Sequence, residues 1–154
     1  MKVKNTTQII TGLRVIGLLL ILEAGFMALS LLPSLYYKQG DFFPLLFSTL
    51  ITLSAGLLCR IKRVDKQLSI DKRLGISIVA LIWLLIGFFG ALPYLIGGYI
   101  PSIADAVFET ISGLTTTGAT ILSDVESLPK GILFWRSMTH WIGGVGIVVI
   151  VVSF

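Results

Sequence analysis

The sequence predicts an all-α membrane protein, with two N-terminal transmembrane helices followed by a helix, a short re-entrant segment and a further helix. Hydrophobic residues make up 55% of the 154 residues and charged residues only 13%, whereas a soluble domain carries about 25% charged residues. Four apolar stretches each approach the roughly 20 residues that a helix needs to cross a bilayer. A fifth apolar stretch is only about half that long.

The four long stretches are the expected membrane crossings. They cover about residues 9–32, 42–58, 74–96 and 135–154. The first stretch has a basic start like that of a signal peptide, but its length and the interruption by Glu23 disfavour a cleaved leader. We therefore expect two parts: residues 1–73 as a transmembrane helix pair with a basic loop, and residues 74–154 as one helix, re-entrant segment and helix.

Basic residues set the expected orientation. One loop is strongly basic and contains Arg60, Lys62, Arg63, Lys66, Lys72 and Arg73. By the positive-inside rule this loop and the N-terminus are cytoplasmic, so residues 97–130 are external. Aromatic residues cluster near the outer boundary, as in an interfacial belt: Tyr36, Tyr37, Tyr94, Tyr99, Trp135 and Trp141. This placement assigns the net charge of +4 to membrane orientation and not to nucleic acid.

The short apolar stretch has the features of a helix start. Ser102 is a suitable N-cap, and Asp105 three residues later completes a capping-box pattern. The pattern predicts a helix over about residues 103–113, with Gly113 as a place to stop. Such a helix is roughly 16 Å long at about 1.5 Å per residue, which is half of a membrane crossing. Because it begins outside and the next crossing also begins outside, we expect it to re-enter and return.

The segment after this helix, residues 114–120, would then expose backbone carbonyls at membrane depth. Such backbone is tolerated only inside protein or beside a watery cavity, and carbonyls at the negative end of a helix attract cations. We expect the threonines here to stand extended and Gly118 to supply an unusual backbone conformation. An external polar loop capped by Gly118 fits the composition equally well. A phosphate-binding loop is excluded because Ala119 replaces the lysine that it needs.

Two segments resemble a known family. They are residues 109–120 (ETISGLTTTGAT) and 135–146 (WRSMTHWIGGVG), which are similar to the first pore repeat of the Trk/Ktr/HKT potassium transporters. The helix pair before them resembles the bacterial branch with the TrkH/TrkG type of membrane subunit. This resemblance implies a potassium-channel-like fold of four non-identical helix–pore loop–helix repeats in one chain. It also implies potassium as the transported substrate.

The resemblance assigns the ion site. It implies that the backbone carbonyls of Thr116 and Thr117 coordinate potassium, with Thr115 and Gly118 as neighbouring filter residues. Glycine at position 118 matches the potassium-selective pattern of the family. Family chains are considerably longer and this one stops at Phe154, so we expect the N-terminal piece of a pore-forming subunit, its first repeat truncated at the C-terminal end.

The resemblance also implies the setting. We expect a multi-pass protein of the bacterial plasma membrane, a homodimer in full-length form, and a cytosolic nucleotide-binding regulatory subunit as partner. Sodium or a proton is the expected coupling ion of a symport. No cofactor is expected, and the single histidine and single cysteine exclude clusters of these residues as metal ligands within the chain.

Other functions remain open from the residues alone. The chain could form a small channel from four copies, or a non-transport assembly protein in which Gly143, Gly144 and Gly146 only allow close helix packing. An enzyme is disfavoured because Glu23, Glu109 and His140 show no nucleophile–base pattern. Glu23 lies near mid-membrane, and we expect a neighbouring helix to hydrogen-bond it, with Thr49 and Thr52 at a similar depth.

The expected topology can be tested by cysteine labelling in the full-length parent protein. In a Cys59→Ser background, cysteines introduced singly at Lys66 and Asp124 should react with an impermeant thiol reagent from opposite sides of the membrane. The reason is the basic loop, which the positive-inside rule retains in the cytoplasm. Reaction of both cysteines from outside would contradict the topology.

Overall fold

A computed structural model describes residues 2–61 and 72–152 of the chain. Within these ranges the secondary structure is entirely helical. The five helices are α1 (Lys2–Tyr37), α2 (Phe42–Arg60), α3 (Lys72–Ile96), α4 (Ile103–Leu114) and α5 (Lys130–Val152). The all-α class and the order of the elements are therefore confirmed.

Three of the described helices are long and apolar enough to cross a membrane. The stretches that qualify are Gln8–Tyr37, Phe42–Arg60 and Gly75–Ile96. The fourth expected crossing falls on α5. The last side chains of α5 are not described by the structure, so that crossing stays a prediction. Most of the basic loop, residues 62–71, also lies outside the description, and the division at residue 73 stays a prediction too.

Helices α1 and α2 form a hairpin whose backbones meet at two glycines. A Cβ added at Gly17 would lie 2.6 Å from the Gly56 carbonyl oxygen, and one added at Gly56 would lie 2.9 Å from the Gly17 carbonyl oxygen. Small residues allow such close approach between helices in a membrane. The hairpin therefore depends on the absence of side chains at these two positions.

The buried hydroxyls of α2 are satisfied within their own helix. Ser48, Thr49 and Thr52 donate to the carbonyl oxygens four residues earlier, at 2.7, 2.7 and 2.8 Å. Thr52 also lies 3.8 Å from the Met27 sulfur. The expectation that a neighbouring helix hydrogen-bonds Glu23 is wrong, because neither of its carboxyl oxygens has a partner in the described part of the chain. Thr49 and Thr52 instead donate within their own helix.

The short helix α4 begins and ends close to the predicted residues. The Ser102 hydroxyl accepts a hydrogen bond from the Asp105 amide at 3.4 Å, as expected for an N-cap. The helix ends at Leu114, one residue beyond the predicted end. Its 12 residues span about 18 Å at about 1.5 Å per residue. It packs between α3 and α5, as the re-entrant interpretation requires.

The apolar core joins the hairpin to the α3–α4–α5 unit. Its fully buried members include Met27 from α1, Leu45 from α2 and Ala106 from α4. Tyr94 and Trp135 are also fully buried there, so their assignment to an outer aromatic belt is wrong. The Trp135 indole N–H donates to the Gly90 carbonyl at 2.9 Å, so it has a partner although the side chain is buried in the core.

Asp41 connects three helices at one end of the bundle. It is fully buried. Its carboxylate accepts from the Ser34 hydroxyl of α1 at 2.6 Å and from the Ile132 amide of α5 at 3.2 Å, while its carbonyl accepts from the Leu45 amide of α2 at 3.2 Å. The first turn of α5 favours a negative charge. Burial and this carboxylate together raise the pKa of the Tyr99 phenol.

Replacement of Asp41 by alanine should destabilise the full-length parent protein. The change leaves the Ser34 hydroxyl and the Ile132 amide buried without partners, at a cost of about 2–4 kcal/mol. We expect a lower midpoint of thermal unfolding in detergent. Asp124→Ala is the matched control, because Asp124 is exposed and its carboxylate accepts from the Glu126 amide in the same loop. Equal midpoints for the two variants would refute the role of Asp41.

Candidate ion-coordination site

The loop after α4 starts with a Schellman motif. The Thr116 amide donates to the Gly113 carbonyl at 2.9 Å, and the Thr117 amide donates to the Ser112 carbonyl at 3.0 Å. This pair of bonds requires a left-handed residue just past the helix, and Thr116 occupies that position with φ of +56°. A threonine rarely adopts this conformation, so the surrounding contacts must hold it there.

Gly118 is the second left-handed residue of the loop. Its φ is +74°, and no atom lies within 4 Å of a Cβ added to it. Space for a side chain is therefore present, and the constraint at this position is the backbone conformation itself. The predicted need for glycine at 118 agrees with this geometry.

The threonine side chains fold back instead of standing extended as expected. The Thr115 hydroxyl bonds the Ile111 carbonyl at 2.8 Å and lies 2.8 Å from the Thr117 hydroxyl. The hydroxyls therefore serve the local turn. In the described part of the chain no donor bonds the carbonyl oxygens of Thr116 or Thr117. These are the two carbonyls that the resemblance assigns to ion coordination, and they are available for it.

The returning half of the loop is tied back to α4 by side chains. The Ser112 hydroxyl donates to the Ala119 carbonyl at 2.6 Å. The Glu109 carboxylate accepts from the Thr120 hydroxyl at 2.9 Å and from the Ile121 amide at 3.1 Å. Both halves of the loop are thus fixed to the same short helix.

The other carboxylate oxygen of Glu109 pairs with a charge on α5. Arg136 Nε lies 2.7 Å from Glu109 Oε1, and the two side chains are 18% and 0% exposed. Since a buried charge without a partner is costly, the carboxylate depends on both Arg136 and the loop donors. This pair was not among the contacts predicted from the sequence. The sequence did contain a signal for it. Segment 109–120 has one charged residue, Glu109, and segment 135–146 has one of opposite sign, Arg136.

Two glycines allow α5 to lie directly against the end of α4. A Cβ at Gly113 would overlap the Thr139 hydroxyl, and a Cβ at Gly143 would overlap the Leu114 carbonyl. The contact at Gly144 is looser, with Thr116 Cγ2 3.9 Å from an added Cβ. Close packing is therefore real at Gly143, and its partner is the helix end that carries the loop.

One side of the site is uncovered. Every residue from Thr115 to Thr120 is exposed. A groove of about 330 Å³ runs along α4 and reaches the loop, with Val107, Ile111, Thr115 and Thr117 among its lining residues. The chain therefore presents the loop carbonyls on an open surface and not in a closed cage.

Comparison with known proteins identifies relatives of this arrangement. The profile of the TrkH family, described as cation transport protein, matches residues 43–154. The Trk system potassium uptake protein TrkH of Halomonas elongata is 39% identical over 142 residues, which cover 92% of this chain and 30% of that protein. The Escherichia coli K12 protein of the same name is also 39% identical, with coverage of 91% and 29%.

A solved structure matches the fold. The crystal structure of the potassium transporter TrkH from Vibrio parahaemolyticus superposes with a TM-score of 0.84 at 39% identity. The match covers 95% of this chain and 31% of that one. The chain thus spans about 30% of the length of the relatives that it matches.

Substitution of Glu109 by glutamine should loosen the returning loop. The charge-assisted bonds to Ile121 and Arg136 are worth about 1.5–3 kcal/mol each. We therefore expect amide hydrogen exchange at Ile121 in the full-length parent to quicken by about 10- to 100-fold. Glu126→Gln is the matched control, because Glu126 is exposed in the following loop. Unchanged exchange in Glu109→Gln would show that the carboxylate does not hold the loop.

Proposed function

Because the chain belongs to the TrkH family of cation transport proteins, we propose that it forms part of the pore of a potassium uptake transporter. Residues 115–118 contribute one segment of the selectivity filter. The carbonyls of Thr116 and Thr117 coordinate the ion, and Thr115 and Gly118 hold those carbonyls in place. The relatives bear the names of potassium uptake proteins.

The observation that supports this proposal is the conformation of the loop backbone, which leaves carbonyl oxygens without hydrogen-bond donors. Two left-handed residues, Thr116 and Gly118, flank a carbonyl that has no donor in the described part of the chain. Carbonyl oxygens replace the hydration shell of a potassium ion in channel filters. The negative end of α4 adds a favourable field at the same place.

Ion selection on this proposal requires further segments. A loop exposed from Thr115 to Thr120 contacts an ion from one side only, whereas a filter surrounds it. The relatives are more than three times as long as the matched region. We propose that equivalent loops elsewhere in a longer chain complete the cage, so that this chain supplies one quarter of it.

We propose the same setting for the complete protein as for a bacterial Trk subunit. It lies in the plasma membrane, or the inner membrane of a Gram-negative cell, with its N-terminus cytoplasmic. It acts as a homodimer with a cytosolic nucleotide-binding regulatory subunit, and sodium or a proton is its coupling ion. Family membership supports these points, and the apolar helices support a place in the membrane.

The substitution Gly118→Ser in the full-length parent tests the filter assignment. Serine disfavours a φ of +74°, so the Thr117 carbonyl is displaced without a steric clash. We expect discrimination of rubidium from sodium to fall roughly three- to tenfold, where tenfold corresponds to about 1.4 kcal/mol. Uptake of both ions is measured in cells that lack other potassium importers.

Gly98→Ser is the matched control for this experiment. Gly98 has φ of +68° and, like Gly118, no atom within 4 Å of an added Cβ, but it lies in the α3–α4 loop. It carries the same strain outside the proposed filter and should leave ion preference intact. If Gly118→Ser is expressed and its preference between rubidium and sodium is unchanged, Gly118 is not a filter residue.

A further inference from the structure

Glu23 is a buried carboxyl group for which the proposed ion path has no use. It is 5% exposed and lies within an apolar stretch of α1. Neither of its carboxyl oxygens has a hydrogen-bond partner among residues 2–61 and 72–152. A buried carboxylate without partners is very costly, and such groups within a membrane are usually functional.

The cavity beside Glu23 is lined mainly by apolar side chains. One of its oxygens lies over Gly90 of α3, 2.8 Å from the position of an added Cβ. Beside it is a cavity of about 120 Å³, lined further by Leu19, Leu22, Phe26, Ile86, Leu114, Trp135 and Ile142. These residues come from α1, α3, α4 and α5, and none is titratable or charged. The Trp135 indole is already bonded to Gly90.

The cavity also contacts the residue that directly precedes the proposed filter. Leu114 is the last residue of α4, and Thr115 follows it directly. The same residue lies against Gly143 of α5. A molecule in the cavity therefore contacts the helix end from which the loop starts. Apart from Glu23, its other walls are apolar side chains. One of them, Leu22, is 51% exposed, so the exposed face of α1 offers an apolar molecule a route to the cavity.

We propose that Glu23 and this cavity form a proton-binding site within the membrane, which small apolar molecules reach from the lipid. Glu23 holds the proton as a neutral carboxylic acid, and among the described side chains that line the site it is the hydrogen-bonding group without a partner. A molecule bound there acts on the filter loop through Leu114. Only this last part rests on the proposed function.

Glu109 provides an internal contrast. It is even more buried, at 1% exposure, but its carboxylate has Arg136, Thr120 and the Ile121 amide as partners. Partners of this kind satisfy the ionised form. Among the described residues two glutamates are therefore buried, one with an arginine partner and the other without a hydrogen-bond partner.

A carbodiimide distinguishes the two forms. The acid O–H proton moves to one carbodiimide nitrogen while the carboxyl oxygen bonds to the central carbon, which gives an O-acylisourea. In an apolar cavity the acyl group then shifts to nitrogen, and a stable N-acylurea forms without any leaving group. A carboxylate in an ion pair has no proton to supply, so Glu109 should not react.

The test uses the full-length parent in membranes and the small uncharged reagent diisopropylcarbodiimide. Peptide mass spectrometry should find the adduct on Glu23 and not on Glu109, and a charged, water-soluble carbodiimide should label neither. An infrared band of a protonated acid that is lost in Glu23→Gln tests the proton independently of reagent access. Absence of that band, or labelling of Glu109 without Glu23, would overturn the proton site.

Rubidium uptake tests the connection to the filter. Uptake should fall in proportion to the labelled fraction of Glu23, whereas the reagent should not change the uptake of Glu23→Gln relative to its own untreated level. Full labelling with unchanged uptake would refute the action through Leu114. If the full-length parent transported no potassium even without the reagent, the proposed function would fail, but the proton site would be unaffected.

Discussion

The position of the loop depends on the carboxylate of Glu109. One oxygen holds the returning half of the loop through Thr120 and Ile121, and the other holds α5 through Arg136. At membrane depth every backbone polar group needs a partner. Local bonds to α4, the Ser112 hydroxyl and the Glu109 carboxylate supply partners for part of the loop backbone, whereas the carbonyls of Thr116 and Thr117 have no donor in the described part of the chain. Carbonyls that coordinate an ion must stay unpaired, so their neighbours have to be held firmly.

Packing between α4 and α5 adds to this support. Gly143 lies against Leu114, and Gly113 lies against Thr139, so two missing side chains bring the helix axes close. Arg136 lies on the same helix about two turns before Gly143, where it reaches Glu109. The Asp41 carboxylate fixes the start of α5 to the hairpin. The helix pair α1–α2 thus indirectly sets where the loop lies.

Local features of the chain were predictable from the sequence, and contacts between distant residues were not. Hydropathy located the helices, and Ser102 and Gly113 marked the ends of α4 to within one residue, because capping acts over three or four positions. The left-handed conformation of Thr116 was missed because glycine is the usual signal for it. Tyr94 and Trp135 were misplaced because an aromatic residue near a helix end suits both an interface and a core. The Glu109–Arg136 pair and the isolation of Glu23 depend on how the helices pack.

The central claim is that the loop carbonyls bind the transported ion. Anomalous diffraction from crystals of the full-length parent grown in rubidium or thallium tests it most directly. The account predicts an anomalous peak within coordination distance of the Thr116 and Thr117 carbonyl oxygens, with Glu109 still bonded to Ile121. A well-ordered loop without a peak, or with these two carbonyls hydrogen-bonded to protein donors, would contradict the account.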